Sequence, residues 1–381
     1  MNLPKDDVKS VLIGGGRVEK TLAVLLTVFL ACSLWAFSGT YGGECSEELN
    51  AVMRVDGGFV AIGYVEHYDE PYLQVLAIKL DDNGEVLWAR EYGTTDDEIG
   101  RALTVSPEGN YFLVAQSRRS NGNRGFLLIE VDNAGNLLRQ NVLGKREEIT
   151  PRNLISISDG FVIAGECRTA KNYFQGYVSK IDWSGNVVWE RDFGGSDFDS
   201  ALSVIEVEKG NLLVTGFSWQ QDRQNLWLLM LDRDGNRVWD RHYGEHGPPF
   251  YEGWDITVAT DGYVITGRSS QFSSRAYVLK VGPWGEPLWE FSLEESFPLA
   301  LSIAPDGGYY AILLSYVTLS EEGFAFLRLD TEGNELDRRV FTVRELEAHS
   351  FAPACPGSFL VVGTIGDERY GRQAYWRLAG F

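Results

Sequence analysis

Apolar residues in this chain fall in short runs bounded by turn-forming residues, not at the three- and four-residue spacing of a helix. Residues 202–207, 211–217, 226–232 and 236–242 form four such runs in succession, with Gly-containing turns between them. No helix-period segment of useful length intervenes, and the pattern predicts strands throughout.

The pattern also repeats. A glycine turn ahead of an apolar strand recurs at Gly84, Gly135, Gly185, Gly235, Gly285 and Gly333, in steps of 51, 50, 50, 50 and 48 residues. Five copies read Asp-x-x-Gly, and in the remaining one Gly282 stands for the aspartate. A second turn, ahead of a Val/Ile/Leu-rich strand, recurs at Gly57, Gly109, Gly160, Gly210, Gly262, Gly307 and Gly357. Four short strands repeated near every fifty residues are the pattern of a propeller blade, a sheet that cannot bury both faces alone and so stacks on neighbours around a ring. Seven copies of the first three strands are present but only six of the fourth. The expectation is an all-β, seven-bladed β-propeller of four-stranded antiparallel blades, its ring closed by N-terminal residues 33–37 pairing in the last blade.

Turn pairs such as Asn83-Gly84, Ser184-Gly185 and Asp234-Gly235 predict two-residue hairpins between third and fourth strands, because glycine accepts a positive φ. In that register residues nine apart face each other: Lys79 with Trp88, Glu130 with Arg139, Lys180 with Trp189, Met230 with Trp239, Lys280 with Trp289, and Arg328 with Asp337. Where tryptophan is absent the pair becomes two opposite charges, once in each orientation, as touching side chains require. A contact of this kind contributes about 0.2–1 kcal/mol. The same logic sets Trp35 against Arg377 at the ring closure and places leader cleavage before Leu34.

Tyr41-Gly42-Gly43, the segment 159–165 (DGFVIAG) and the segment 180–189 (KIDWSGNVVW) carry a resemblance to a broad group of secreted bacterial and archaeal propeller-repeat proteins. It extends over nearly the whole chain beyond the leader. It implies fold and export, but not function, since one fold hosts many functions. The repeat is also distantly similar to the tryptophan-docking repeats of quinoprotein dehydrogenases. Here the Asp-to-Trp interval, Asp182 to Trp189, is one residue shorter, and the adjacent cysteines of many quinone-dependent members are missing. A quinone-dependent dehydrogenase is the least favoured function for this chain.

Residues 1–33 read as a signal-peptide region: an apolar run from Thr21 to Ala31 follows Arg17 and Lys20, too short for a comfortable membrane span. Residues 34–381 are then a single propeller domain, secreted or cell-surface, with no membrane span of its own. Leu30 spoils the lipoprotein cleavage box before Cys32, so free secretion ranks ahead of a lipid anchor there. Asp and Glu outnumber Lys and Arg by 54 to 34, a net charge of −20, which repels nucleic-acid phosphates. Cys32, Cys45, Cys167 and Cys355 have neither CxxC nor zinc-ligand spacing. No disulfide framework, metal or cofactor is expected, and the chain is expected to be a monomer.

Candidate chemistry is sparse. His242-Tyr243-Gly244-Glu245-His246 matches a zinc-protease string that needs a helix, but it falls at a strand end beside glycine. His67 and His349 stand alone in the sequence. Asp232 begins a calcium-like loop, yet Asp81, Asp132, Asp182 and Asp330 occupy the same turn, the place of a backbone-bonding aspartate. Asp96-Asp97-Glu98 and Asp197 with Asp199 could supply a carboxylate pair for glycoside hydrolysis, although their corresponding positions read first as repeated structural acids. Long second-to-third-strand loops share one face and carry Tyr68, Tyr72, Arg118, Arg119, Arg168, Tyr173, Trp219, Arg223, Arg268, Arg275, Arg369 and Tyr370. Arginine and aromatic residues are favoured at interfaces. The leading expectation is a non-catalytic exported propeller that binds a protein or glycan partner through this face. The alternative is a polysaccharide-active enzyme using Asp97 or Asp199 near the channel mouth.

Overall fold

A computed structural model describes residues 38–380 except 43–44, 70, 119–123, 145–146, 170–172, 196, 221, 245–249, 271–273, 295, 305, 319–320, 343–345, 356–357 and 368–370. Trp35, Cys32, Arg119, Arg369 and Tyr370 lie outside the described residues. Strands dominate, in antiparallel groups of four. The first unit contains Ser46–Val55, Gly58–Glu66, Leu73–Leu80 and Val86–Tyr92, hydrogen-bonded in chain order. The units spanning 97–143, 147–193, 199–243, 250–294 and 296–342 repeat that order. A parallel bridge from Gln224 to Phe250 joins two of them into one eight-stranded sheet. The last unit has Leu346–Cys355, Ser358–Asp367 and Gly371–Gly380, and its fourth strand is Ser38–Tyr41.

The Asp-x-x-Gly turns explain themselves chemically. In the first, Gly84 N–H donates to the Asp81 carbonyl, while Asp81 Oδ1 accepts the N–H groups of Asn83 and Glu85. The turn glycines sit at φ between 78° and 84°, where a Cβ would be strained. Side-chain hydrogen bonds from Asn136, Asn236 and Asn334 hold Asp132, Asp232 and Asp330 below the usual carboxylate range.

The hairpin differs from the two-residue loop expected. Asp81 N–H bonds the Glu85 carbonyl, so the loop holds three residues with glycine in the bulge position. Leu80 then faces Val86, while Lys79 faces Trp88, and Leu87 is left over as a second bulge. The extra loop residue and the extra strand residue cancel. The ladder therefore sets Glu130 opposite Arg139, Lys180 opposite Trp189, Met230 opposite Trp239, Lys280 opposite Trp289 and Arg328 opposite Asp337. Glu130 and Arg139 form an ion pair, whereas Arg328 directs its guanidinium to Asp306. The left-over residues Leu87, Leu138, Val188, Val238, Leu288 and Leu336 are each about half exposed.

Those fourth-strand tryptophans join one unit to the next. Trp88 Nε1 donates to the Asn133 carbonyl at 3.1 Å, Trp189 to Arg233 at 3.3 Å and Trp289 to Thr331 at 3.1 Å, each acceptor lying in the following unit's Asp-x-x-Gly turn. A Cβ on Gly135, Gly235 or Gly333 would stand 2.6–2.9 Å from the docked indole. Arg139, replacing tryptophan, donates to the Trp183 and Ser184 carbonyls of the next turn. Apolar clusters fill the spaces between units, and one of them combines Leu49, Phe59 and Leu76 of the first unit with Ala352, Leu360 and Trp376 of the last.

The closing strand corrects one expectation. Tyr41 faces Ala374 as Phe193 faces Gly176, and counting back without an inserted residue sets Ser38, not Trp35, opposite Arg377. The expected bulge does not form between Ser38 and Tyr41. Docking on the first unit's turn is done by Trp376 of the third strand, whose Nε1 donates to the Gly84 carbonyl at 3.1 Å. Gly39 faces Trp376, and a Cβ there would stand 2.5 Å from the ring.

Trp189→Ala is expected to lower the unfolding free energy by about 3–5 kcal/mol, as for other buried aromatic truncations. Gly235→Ala is expected to destabilise as well, and to cost about 1 kcal/mol less in the Trp189→Ala background, because the ring it strikes is gone. Urea denaturation of the four proteins measures that coupling.

Candidate binding site

A second bulge recurs in the first strand of every unit. The ladder skips one residue between Leu49 and Ala51, Gly100 and Ala102, Pro151 and Asn153, Ala201 and Ser203, Gly253 and Asp255, Pro298 and Ala300, and Ala348 and Ser350. A bulge re-aims the skipped side chain. Asn50, Arg101, Arg152, Leu202, Trp254 and His349, all at skipped positions, line one cavity of about 930 Å³. The second strand makes room for the bulge with glycine: a Cβ on Gly63, Gly165, Gly216 or Gly363 would meet a first-strand carbonyl oxygen at 1.7–2.2 Å. That glycine ends the motifs DGGFVAIG and SDGFVIAG, so it is the sequence signal from which these residues could have been found.

The wall is polar and internally paired. Arg152 donates to Glu166 Oε1 at 2.8 Å, and Glu166 Oε2 accepts the Ser200 hydroxyl at 2.6 Å. Arg268 donates to Glu252 Oε1 at 3.0 Å, and Glu252 also accepts Trp254 Nε1 at 2.9 Å and Gln224 Nε2 at 2.7 Å. Arg101 donates to Gln116 Oε1 at 2.8 Å; burial, then Arg152 nearby, lowers its pKa. His349 lies 3.3 Å from Glu48 and 3.2 Å from Asn50 Oδ1, so this histidine is not isolated in space. Burial would raise the Glu48 carboxyl, but His349, Tyr64 and Arg372 together hold it low. Burial first, then Glu48, pushes the Tyr64 hydroxyl up to about 12. Phe174 and Phe198 stack at 5.6 Å and also line the cavity, where Phe198 and Trp254 are exposed.

Of the loop residues singled out from sequence, Arg268 lines the cavity. Tyr68, Tyr72 and Tyr173 are exposed, as is Arg118 at its strand end. Arg168 pairs with Glu148 at 3.0 Å, Arg275 pairs with Glu294, and Trp219 meets Phe250 edge-on at 5.8 Å. Arg223 is half-buried at the start of its strand.

The acids proposed for hydrolysis serve the backbone. Asp199 is fully buried and accepts Gly195 N–H at 2.7 Å, Trp219 N–H at 3.2 Å and Gln175 Nε2 at 3.1 Å. Its register partner in the second unit is Glu98, which accepts the Thr94 N–H and hydroxyl, rather than Asp97. Asp97 accepts Leu73 N–H at 3.2 Å. His242 lies in the strand Arg237–Tyr243, stacked on Trp227, so it has no helical partner position.

No protein-family model matches the sequence, and no curated protein is found to be similar to it. Likeness to solved structures is confined to fold. BBS1N, solved in complex with ARL6DN, is 11% identical over 91% of this chain and 96% of that chain, with a TM-score of 0.51. A protein of unknown function from Dyadobacter fermentans is 11% identical over 90% of this chain and 97% of that chain, with a TM-score of 0.48. A subtype N10 neuraminidase-like protein of A/little yellow-shouldered bat/Guatemala/060/2010 has the same identity and TM-score, over 91% and 97%. The chain thus has an all-β, propeller-like fold of four-stranded antiparallel sheets.

Asp255 borders the cavity and ties three first strands together, accepting the Ser203 hydroxyl at 3.2 Å, its neighbour Ile256 N–H at 2.9 Å and Leu301 N–H at 3.1 Å. Burial outweighs these donors and pushes its carboxyl up to about 6. Between pH 4 and 6 the native protein therefore holds a proton that the unfolded chain has released, and stability falls as pH rises through that window. Asp255→Asn removes this dependence. The stability of the variant relative to the wild type is expected to rise across pH 4–6, by at most about 3 kcal/mol, and to be level above pH 7; urea titrations at each pH read it.

Proposed function

We propose that the units are the seven blades of a closed propeller, and that the exported chain, as a monomer, binds a partner at the cavity without turning it over. Three features support the ring: the first strand of every unit borders the same cavity, the first and last units share a core, and Ser38–Tyr41 completes the last sheet. Export rests on the apolar run behind Arg17 and Lys20. No helix among the described residues is long and apolar enough to cross a membrane. Free secretion fits the leader better than a lipid anchor at Cys32.

The binding reading is carried by the cavity wall, which combines the Arg152–Glu166 and Arg268–Glu252 pairs with the exposed rings of Phe198 and Trp254. Flat aromatic faces beside guanidinium and carboxylate groups suit a glycan, whose rings offer apolar faces and a rim of hydroxyls. A protein partner is the second reading, favoured by BBS1N, which is similar in fold and was solved with ARL6DN.

Screening the secreted protein on an oligosaccharide panel tests this proposal. Arg152→Ala, Phe198→Ala and Trp254→Ala are each expected to weaken binding at least about tenfold, or about 1.4 kcal/mol, and the bound sugar is expected to be recovered unchanged. Full affinity in all three folded variants would remove the cavity from the reading, and cleaved sugar would remove the non-catalytic one.

A further inference from the structure

The first unit gathers three reactive groups that the chain keeps 22 and 24 residues apart. Cys45 immediately precedes the strand Ser46–Val55, His67 follows Gly58–Glu66, and Glu91 lies next to the last residue of Val86–Tyr92. Cys45 Sγ stands 3.0 Å from His67 Nδ1, and His67 Nε2 stands 2.8 Å from Glu91 Oε2. His67, read alone in the sequence as isolated, is the centre of this chain.

The order of contacts determines the proton positions. A carboxylate only accepts hydrogen bonds, so Glu91 holds the imidazole proton on Nε2 and leaves the Nδ1 lone pair facing the thiol. Nucleophile, base and orienting acid then follow one another in the sequence of contacts used by activated serines and cysteines. Cys45 is half-buried, and the His67 and Glu91 side chains keep 25% and 40% of their exposure, so a small reagent can reach all three.

We propose that Cys45 is a nucleophilic thiol, with His67 as its base and Glu91 as the group that orients the base, and that it takes an acyl group from an activated ester. The Cys45 proton passes to Nδ1 as the sulfur electron pair forms a bond to the acyl carbon. The ester C–O bond breaks, and the leaving oxygen takes the proton from His67, giving an S-acyl cysteine and an alcohol. Among the described residues, Cys45, Glu47, Arg90 and Glu91 all act electrostatically on Tyr41 of the closing strand, which sets these groups close together. Cys167 provides an internal contrast: it is fully buried in the apolar cluster with Phe112, Phe161 and Tyr177.

The test treats the whole protein with p-nitrophenyl acetate or iodoacetamide across pH 6–9 and reads each cysteine peptide by mass spectrometry. Cys45 is expected to be S-acylated with release of p-nitrophenolate, and to alkylate at least about tenfold faster at pH 7 than an ordinary thiol of pKa near 8.5. His67→Gln is expected to abolish that advantage and return the rate–pH profile to the ordinary one. Glu91→Gln is expected to do so in part, with melting temperatures confirming that both variants fold. An ordinary rate and profile at Cys45, unmoved by His67→Gln, overturns the proposal, as does finding Cys45 in a disulfide. Neither outcome bears on whether the cavity binds a glycan.

Discussion

A glycine without a Cβ, met by a tryptophan from the unit before it, is the contact on which this molecule depends. A four-stranded sheet has two faces to cover and cannot do so alone, so its stability lies in what the next sheet brings. At Gly135, Gly235 and Gly333 two demands fall on one atom: φ near +80° disfavours a side chain, and the neighbouring indole occupies the space it would fill. Each indole then gives its N–H to a carbonyl of the same turn, so apolar burial and a directed hydrogen bond act on one contact. The exceptions obey the same geometry. Arg139 supplies two donors where a tryptophan would supply one, Tyr243 donates to the Gly285 carbonyl at 2.6 Å, and Trp376 reaches Gly84 from a different strand.

Two bulges in each of the first six units, and the first-strand bulge in the last, translate this repeat into a solvent-facing and a cavity-facing surface. The outer one releases a Leu or Val to solvent beside each hairpin. The inner one turns a residue toward the cavity, and there the chemistry varies: Asn50, Arg101, Arg152, Leu202, Trp254 and His349. The second-strand glycines that accommodate the inner bulge are shared, as at Gly63, Gly165, Gly216 and Gly363. What is repeated holds the backbone. What differs faces the cavity.

Much of the scaffold was readable because it repeats. The nine-residue pairs emerge from the alternation of tryptophan with opposite charges, even though the loop between them is one residue longer than a two-residue hairpin. The reading succeeded there because a bulge restored the count. At the closing strand no bulge intervened, the compensation was absent, and Ser38 took the place assigned to Trp35 opposite Arg377. The cavity was hidden for a related reason: strict alternation cannot say which way a bulged residue points. Attention to long loops therefore found Arg268 and missed Arg101, Arg152, Trp254 and His349. Cys45, His67 and Glu91 were invisible because they meet only after a unit has folded back on itself twice.

Under the binding proposed for the cavity, the pairing of its side chains narrows the class of ligand. Arg152 and Arg268 are neutralised by Glu166 and Glu252, whose remaining acceptor capacity is itself largely used by Ser200, Trp254 and Gln224. At Arg152 and Arg268 an anionic ligand would have to compete with those carboxylates, in a chain whose net charge of −20 already repels it, whereas Arg101 donates to the uncharged Gln116 amide. A neutral ligand rich in hydroxyls need displace nothing. It can accept from guanidinium N–H groups that Glu166 and Glu252 leave open, and lay an apolar face on Trp254 or Phe198. The buried acids Asp199 and Glu98 are themselves occupied, Asp199 by the N–H groups of Gly195 and Trp219 and Glu98 by the N–H and hydroxyl of Thr94. Under the proposed binding, the pairing of Arg152 and Arg268 thus favours an uncharged glycan over an acidic one on their side of the wall.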